Sequence, residues 1–234
     1  MFGFRLAAVG AACLAVTFAS TTVEAAKPIK LTPSDKFGMI VVELDPAPGL
    51  NPRWPYALEL SSYFPEDGTF GTDIVGHSVV MPNSQPGQSS RVYVAEKSYK
   101  TDYVISSVLY RGWGTCFNGG SYSFRAPLGS VTFLGRINVD GDVLAMHVAA
   151  EKITPAEYTD RTTNFVFDTP RPGLTPPNQI PAWESDVRKF LEMNHPDVRA
   201  QIIAADLTPV HFPTPMNGWI HRRSCGQRHV GTPR

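Results

Sequence analysis

The sequence has no excess of charge of either sign, since 21 lysine and arginine residues are matched by 21 aspartate and glutamate residues. Proteins that bind nucleic acid through their whole surface carry a net positive charge. The composition therefore excludes a general nucleic-acid binder. Charged residues are also scarce, at 18%, whereas 42% of the 234 residues are hydrophobic. A chain of this length and composition is predicted to fold around one core as one domain.

The sequence also lacks an apolar run long enough to cross a membrane. The longest mostly apolar run, residues 6–20, is shorter than the roughly 20 residues that a spanning helix needs. It follows a positively charged N-terminus and precedes a signal-peptidase pattern ending at Ala25. We predict a signal peptide at residues 1–25, a mature chain without a transmembrane segment, and a periplasmic or secreted location. An uncleaved anchor and lipidation of Cys13 are the alternatives.

Cysteine is nearly absent, with three residues in the whole chain. Removal of the signal peptide removes Cys13 and leaves Cys116 and Cys225. Two thiols in an oxidising compartment favour one disulfide. In the chain-entropy model, a bond closing a loop of about a hundred residues contributes on the order of 4 to 5 kcal/mol. The alternative, Cys116 as a catalytic thiol, has no adjacent base or nucleophile motif to support it.

Proline and glycine are abundant, with 21 and 19 residues, which predicts many turns. The short apolar or alternating runs between these turns are predicted strands. The pair Asp140-Gly141 is typical of a hairpin turn. Short strands at this spacing favour a mainly β fold, an antiparallel β-sandwich. The predicted strands are residues 37–44, 56–64, 78–81, 91–97, 103–110, 121–126, 131–139 and 143–150.

The pattern changes in the last third of the chain. Four apolar residues between Trp183 and Leu191 recur at helical spacing. Pro196 ends this helix and opens a second one that extends to Ala205. We predict that these helices, within residues 180–206, form a C-terminal appendage of the single sandwich domain, residues 26–234.

No motif identifies an active site or a metal site. Ser121 lies in a partial nucleophile-elbow motif whose final glycine is missing. Asn138 to Asp142 resemble part of a calcium loop, but the remaining ligands are lacking. The six histidines form no pair at the spacing typical of zinc sites. We therefore assign no catalytic residue, no metal ligand and no cofactor.

The C-terminal tail, residues 221–234, contains four arginines and no acidic residue. A disulfide from Cys225 would hold this tail beside the turn at residues 111–120. Arginine and aromatic side chains together are enriched at recognition sites. In the alternative interpretation, the aromatic rings pack inward and the arginines are only solvated. The expected binding partner is either an anionic envelope component or an acidic protein. The candidate binding residues are Arg222, Arg223, Arg228, Trp113 and Tyr110.

Residues 97–135 resemble a pattern in uncharacterised bacterial secreted and envelope β-sandwich proteins. The segments KSYKTDYVI and YSFRAPLGSVTFLG carry the resemblance. In those proteins a G-x-Y-x-L strand is followed by F-x-V-x-P-G-x-V-x-Y-x-G. This chain departs from the pattern at Thr101, where glycine is preferred, and at Leu128, which is inserted between proline and glycine. The resemblance implies a β-sandwich in the envelope and transfers no active site.

Two functions of different classes fit these observations. The first is an exported, non-enzymatic protein with a binding or structural role in the envelope. The alternative is a hydrolase that acts on envelope material. An enzyme needs polar groups that converge in a pocket, so a histidine and an acid beside Cys116 or Ser121 would favour the hydrolase.

The signal-peptide assignment predicts that the protein recovered from the envelope begins at Ala26. Intact-mass and N-terminal peptide mass spectrometry would measure this directly. An N-terminus that still begins at Met1 would contradict the cleavage.

Overall fold

The computed structural model describes residues 28–45, 56–70, 77–80, 91–110, 112–152, 164–214, 216–217, 222–223 and 225. The predicted signal peptide lies outside these residues. Within the described ranges, no helix has the length and apolar character needed to span a membrane.

The described ranges contain fifteen strands, two α-helices and one 3₁₀ turn at Pro177–Gln179. The helices are α1, Val139–Ala150, and α2, Trp183–Asn194. The strands are β1 Gly38–Asp45, β2 Ala57–Phe64, β3 Thr69–Phe70, β4 His77–Val80, β5 Val92–Ser98, β6 Asp102–Tyr110, β7 Trp113–Cys116, β8 Ser121–Arg125, β9 Ser130–Asn138, β10 Asn164–Val166, β11 Leu174–Thr175, β12 Gln201–Ala204, β13 Thr208–Val210, β14 Met216–Asn217 and β15 Arg222–Arg223.

The strands form two larger sheets and the separate pair β14–β15. The first sheet has the order β11-β9-β1-β5, with β12 also beside β9. The second has the order β10-β7-β6-β2-β3, with β4 beside β2, β8 beside β6 and β13 beside β8. The fold is mainly β, as predicted, but the purely antiparallel arrangement is wrong. The pairs β1–β9, β9–β12 and β7–β10 are parallel, because their partners are joined by long connections rather than by hairpins.

Strand β1 is buried on both faces. Ile40 and Val42 belong to a core cluster that also contains Leu58 of the second sheet. Met39 and Val41, on the opposite face, pack in a cluster with residues of α2. A strand covered on both faces has a continuous apolar sequence rather than an alternating one. The first sheet therefore lies between the second sheet and α2.

A β-bulge in β9 positions an ion pair on the α2 side of the first sheet. Val41 lies opposite Phe133 and Val42 opposite Gly135, so β9 has one extra residue at this point. The shift places Arg136 opposite Glu43, with Arg136 Nε 3.0 Å from the Glu43 carboxylate. The Glu43 side chain is 2% exposed. A carboxylate this deeply buried requires a cationic partner, and the bulge supplies Arg136 in addition to Arg91, whose Nε lies 3.7 Å from the other carboxylate oxygen.

Helix α1 replaces the hairpin predicted at Asp140-Gly141 and the strand predicted at residues 143–150. The side chain of Asn138 caps the helix, its Oδ1 accepting the N–H of Gly141 at 2.9 Å. Asp140 and Asp142 lie in the first turn, where negative charge is favourable. The pair Asp140-Gly141, which is typical of a hairpin turn, is thus also compatible with a helix start after an asparagine cap.

The second predicted helix, from Pro196 to Ala205, is also wrong. This segment contains β12, which pairs in parallel with the first half of β9. The apolar residues Ile202 and Ile203 are β-branched and favour a strand when a sheet edge is available. The edge of β9 provides that partner, which a local pattern does not reveal.

We predict that Gly135, at the bulge, is more sensitive to substitution than Gly68, another glycine with positive φ. Gly135 has φ +121°, and an added Cβ would collide with the carbonyl oxygen of Thr175. Gly68 has φ +66°, with no atom within 4 Å of an added Cβ. We expect Gly135→Ala to lower the free energy of unfolding by about 3 kcal/mol or more. Gly68→Ala, the matched control, should lower it by about 1 kcal/mol. Urea unfolding would measure both, and equal losses would contradict the assignment.

Candidate functional site

Cys116 and Cys225 form a disulfide, as predicted from the cysteine count, with their Cα atoms 5.6 Å apart. Cys116 is fully buried at the end of β7, and Cys225 packs against the core cluster. The alternative role of Cys116 as a catalytic thiol is therefore wrong, because its sulfur is bonded. The disulfide attaches the C-terminal segment to the second sheet.

Tyr110 and Trp113 are partners across the turn between β6 and β7. Both are partly buried and pack against a cluster formed by Met146, Ala150 and Val166. Their rings thus cover the contact between α1 and the second sheet.

The structure does not describe the side chains of the arginines in the C-terminal tail. The backbone of Arg222 and Arg223 forms β15, which pairs with β14. The side chains of these two residues, and the whole of Arg228, lie outside the described residues. The predicted site of arginines beside Tyr110 and Trp113 stays a prediction.

Ser121, the serine of the hydrolase alternative, uses its hydroxyl in a structural hydrogen bond. Ser121 is fully buried, and its hydroxyl donates to the carbonyl of Ile105. Among the described residues, no three His, Cys, Asp or Glu side chains come together as a set of metal ligands. His195 is buried, its Nδ1 accepts the N–H of Ile29 at 3.0 Å, and burial lowers its pKa. His147, predicted on a strand, is exposed on α1.

Asp142 is a buried carboxyl group at the start of α1, with 4% of the residue exposed. Its Oδ1 accepts the N–H of Gly173 at 2.8 Å. Its Oδ2 and the hydroxyl of Tyr56 are both buried, and neither has a hydrogen-bond partner among the described residues. Burial raises the pKa of Tyr56, and the negative charge of Asp142 raises it further. Burial raises the pKa of Asp142 from its ordinary 3.8 to about 6.

Three loops meet at the end of the first sheet that lies away from Asp142, where β1 and β9 begin and β5 ends. We call this feature the three-loop end, and it comprises residues 32–37, 97–102 and 125–129. The second of these segments leads from the first sheet to the second, and the third leads back. Tyr99 is 53% exposed and Leu128 is 42% exposed. Large apolar side chains from two loops are thus presented to solvent on a framework of paired strands.

Backbone hydrogen bonds join the three loops. The N–H of Gly129 donates to the carbonyl of Phe37 at 2.8 Å, and the N–H of Ala126 donates to that of Thr101 at 2.7 Å. The N–H groups of Tyr99 and Lys100 both donate to the hydroxyl of the buried Tyr103, at 3.1 and 3.2 Å. These bonds give the loops a defined arrangement.

Side chains strengthen the junction between the loops. The rings of Phe37 and Tyr99 lie 6.1 Å apart. Lys97 Nζ is 4.7 Å from the centre of the Phe37 ring, the geometry of a cation–π contact. These aromatic and basic side chains therefore join the first two loops into one surface.

The charge of the three-loop end is positive. Its charged residues are four basic and two acidic, a net charge of 4 − 2 = +2. Asp35 accepts the N–H and hydroxyl of Thr32, at 2.6 and 2.9 Å. Asp102 accepts the Thr101 hydroxyl at 2.6 Å and lies 3.5 Å from Arg125. Both carboxylates thus have contacts within the protein. The exposed basic residues are Lys36, Lys100 and Arg125.

No local sequence motif indicates the three-loop end. Its residues lie at the ends of predicted strands and in the short connections between them, partly within the segments that carry the family resemblance. An exposed tyrosine or leucine among lysines in a predicted turn is the signal that could have indicated it. The meeting of three separate turns at one place was not visible in any local pattern.

The raised pKa of Asp142 predicts a pH-dependent stability. The folded protein binds this proton more tightly than the unfolded chain, so this group lowers the free energy of unfolding as the pH rises from 3.8 to about 6. The loss is roughly 3 kcal/mol, at about 1.4 kcal/mol per pKa unit. Asp142→Asn keeps an oxygen to accept the N–H of Gly173 and has no such proton.

Urea unfolding of the wild type and of Asp142→Asn near pH 4 and near pH 7 would test this. The variant should gain roughly 3 kcal/mol relative to the wild type across this interval. A difference between the two proteins that is the same at both pH values would contradict the burial of an ionisable Asp142.

Comparisons of the chain with protein-family models, with curated proteins and with solved structures found no match.

Proposed function

We propose that this chain is an exported protein of the cell envelope, periplasmic or secreted, with a non-enzymatic binding or structural role. The proposal combines the leader-like N-terminus of the sequence with the disulfide between Cys116 and Cys225. Disulfides persist in oxidising compartments and are rare in the cytosol. An exported location explains why a chain with so few cysteines uses two of them in one bond.

We further propose that the two sheets form a β-sandwich within one domain, with α2 as its helical appendage. One core cluster contains Ile40 and Leu44 of the first sheet together with Leu60 and Val108 of the second. A second cluster contains Val187 and residues of β1 and β9. Side chains shared between two sheets in this way are typical of sandwich packing.

The three-loop end is the observation that carries the binding role. Binding residues are commonly located on loops that a rigid framework positions. Here the framework is the pair of sheets, and the loops present Tyr99 and Leu128 together with Lys36 and Lys100. Basic and apolar groups side by side suit an anionic envelope component or an acidic protein.

The hydrolase alternative has less support. It required a nucleophile with a histidine and an acid beside it. The sulfur of Cys116 is in a disulfide, and the buried hydroxyl of Ser121 donates to a backbone carbonyl. These two nucleophile candidates thus have structural roles.

Charge reversal at the three-loop end tests the binding role. The oxidised protein would be sedimented with washed envelope fragments at low salt. We expect Lys36→Glu with Lys100→Glu to lower the apparent affinity about tenfold or more, because attraction to an anionic surface becomes repulsion.

The matched control is Lys152→Glu with Lys189→Glu, which makes the same change of net charge at exposed positions on or next to the two helices. This control should bind the fragments as the wild type does. Equal binding by all three proteins, with circular dichroism unchanged, would overturn the assignment of the site.

A further inference from the structure

We infer that the three-loop end docks on an anionic phospholipid surface, with Tyr99 and Leu128 at the level of the headgroups and the lysines against them. This inference rests on the proposed envelope function and names the ligand class of the same site. It is carried by three properties of the three-loop end, namely exposed apolar side chains, positive charge and backbone groups that are already hydrogen-bonded.

The first property is the kind of apolar side chain that is exposed. Tyrosine has an apolar ring and a polar hydroxyl, and it is enriched where membrane meets water. Tyr99 is 53% exposed and its neighbour in space, Phe37, is partly exposed. Leu128 and Pro127 are exposed on the adjacent loop. These residues can enter the headgroup layer without unfolding any part of the sheets.

The second property is the charge around these residues. Lys36 and Lys100 are exposed on two of the loops, and Lys97 lies over the Phe37 ring. Basic residues near an anionic leaflet are attracted to it, and the attraction falls off within a Debye length. The acidic residues Asp35 and Asp102 hold loop contacts, and the net charge stays positive.

The third property concerns the backbone. A polar group that enters a poorly hydrated layer without a partner is costly. Four N–H groups at this end, of Tyr99, Lys100, Ala126 and Gly129, already donate to acceptors within the protein. Contact with lipid therefore leaves these groups satisfied.

The exposed apolar residues favour a lipid surface over an anionic polymer as the ligand of the three-loop end. A polysaccharide or an acidic polypeptide could be bound by the lysines alone, and burial of Leu128 would add little to such binding. Insertion of Tyr99 and Leu128 into a headgroup layer uses both kinds of residue at once. Affinity for lipid should therefore depend on the charged and the apolar side chains separately.

The test is flotation of the oxidised protein with vesicles of phosphatidylcholine, with and without phosphatidylglycerol. We expect binding only to the vesicles that contain phosphatidylglycerol. Lys36→Glu with Lys100→Glu should weaken it about tenfold or more, and added salt should weaken it further. The charge-matched control, Lys152→Glu with Lys189→Glu, should leave it unchanged.

A second pair of variants tests the apolar contribution. Tyr99→Ser with Leu128→Ser should lower the affinity for the anionic vesicles about tenfold. The matched control is Leu144→Ser with Val148→Ser, which removes two apolar side chains that are 63% and 46% exposed on α1. This control should float with the vesicles as the wild type does, and circular dichroism would verify that all variants fold.

Alginate, an anionic polysaccharide, and polyglutamate, an acidic polypeptide, distinguish the other sources of negative charge. Binding to either of them without binding to anionic vesicles would overturn the lipid assignment and leave the proposed envelope role in place. Vesicle binding that is unaffected by Tyr99→Ser with Leu128→Ser would also overturn it. If the wild-type protein did not sediment with whole envelope fragments, the proposed binding role itself would be overturned.

Discussion

Burial of β1 on both faces is the constraint on which the arrangement of the layers depends. With Ile40, Val42 and Leu44 on one side and Met39 and Val41 on the other, neither face can be left to water. The second sheet covers one face, and α2 covers the other. The buried charged residue of this strand, Glu43, needs a cation in the same layer. The bulge at Gly135 turns Arg136 toward it.

Strands with a local apolar pattern could be predicted from the sequence. The predicted strands are correct in the regions of β1, β2, β5, β6, β8 and β9. In each of them an alternating or continuous apolar pattern is visible within about eight residues. The direction of pairing was not predictable, since β1 and β9 meet across about ninety residues of intervening chain. The segment after Asn138 was assigned incorrectly because one short sequence suits both a hairpin turn and a helix start.

The same distinction applies to the functional residues. The disulfide followed from a count, since removal of one cysteine left only one possible pair. The burial of Asp142 depends on the N–H of Gly173, about thirty residues away. The three-loop end likewise exists only because strands of two sheets bring Phe37 close to Tyr99 and to Gly129. Chemistry assembled across long separations is not carried by a local motif.

The pairings of β12 with β9 and of β13 with β8 limit the order in which the fold can form. Residues 201–210 supply β12 to the first sheet and β13 to the second. Until this stretch is present, β9 between Ser130 and Phe133 and β8 between Ser121 and Ser123 lack these neighbours. Pairings between distant segments form slowly, because a long loop must close first. During synthesis the chain must therefore reach Val210 before either sheet can be completed.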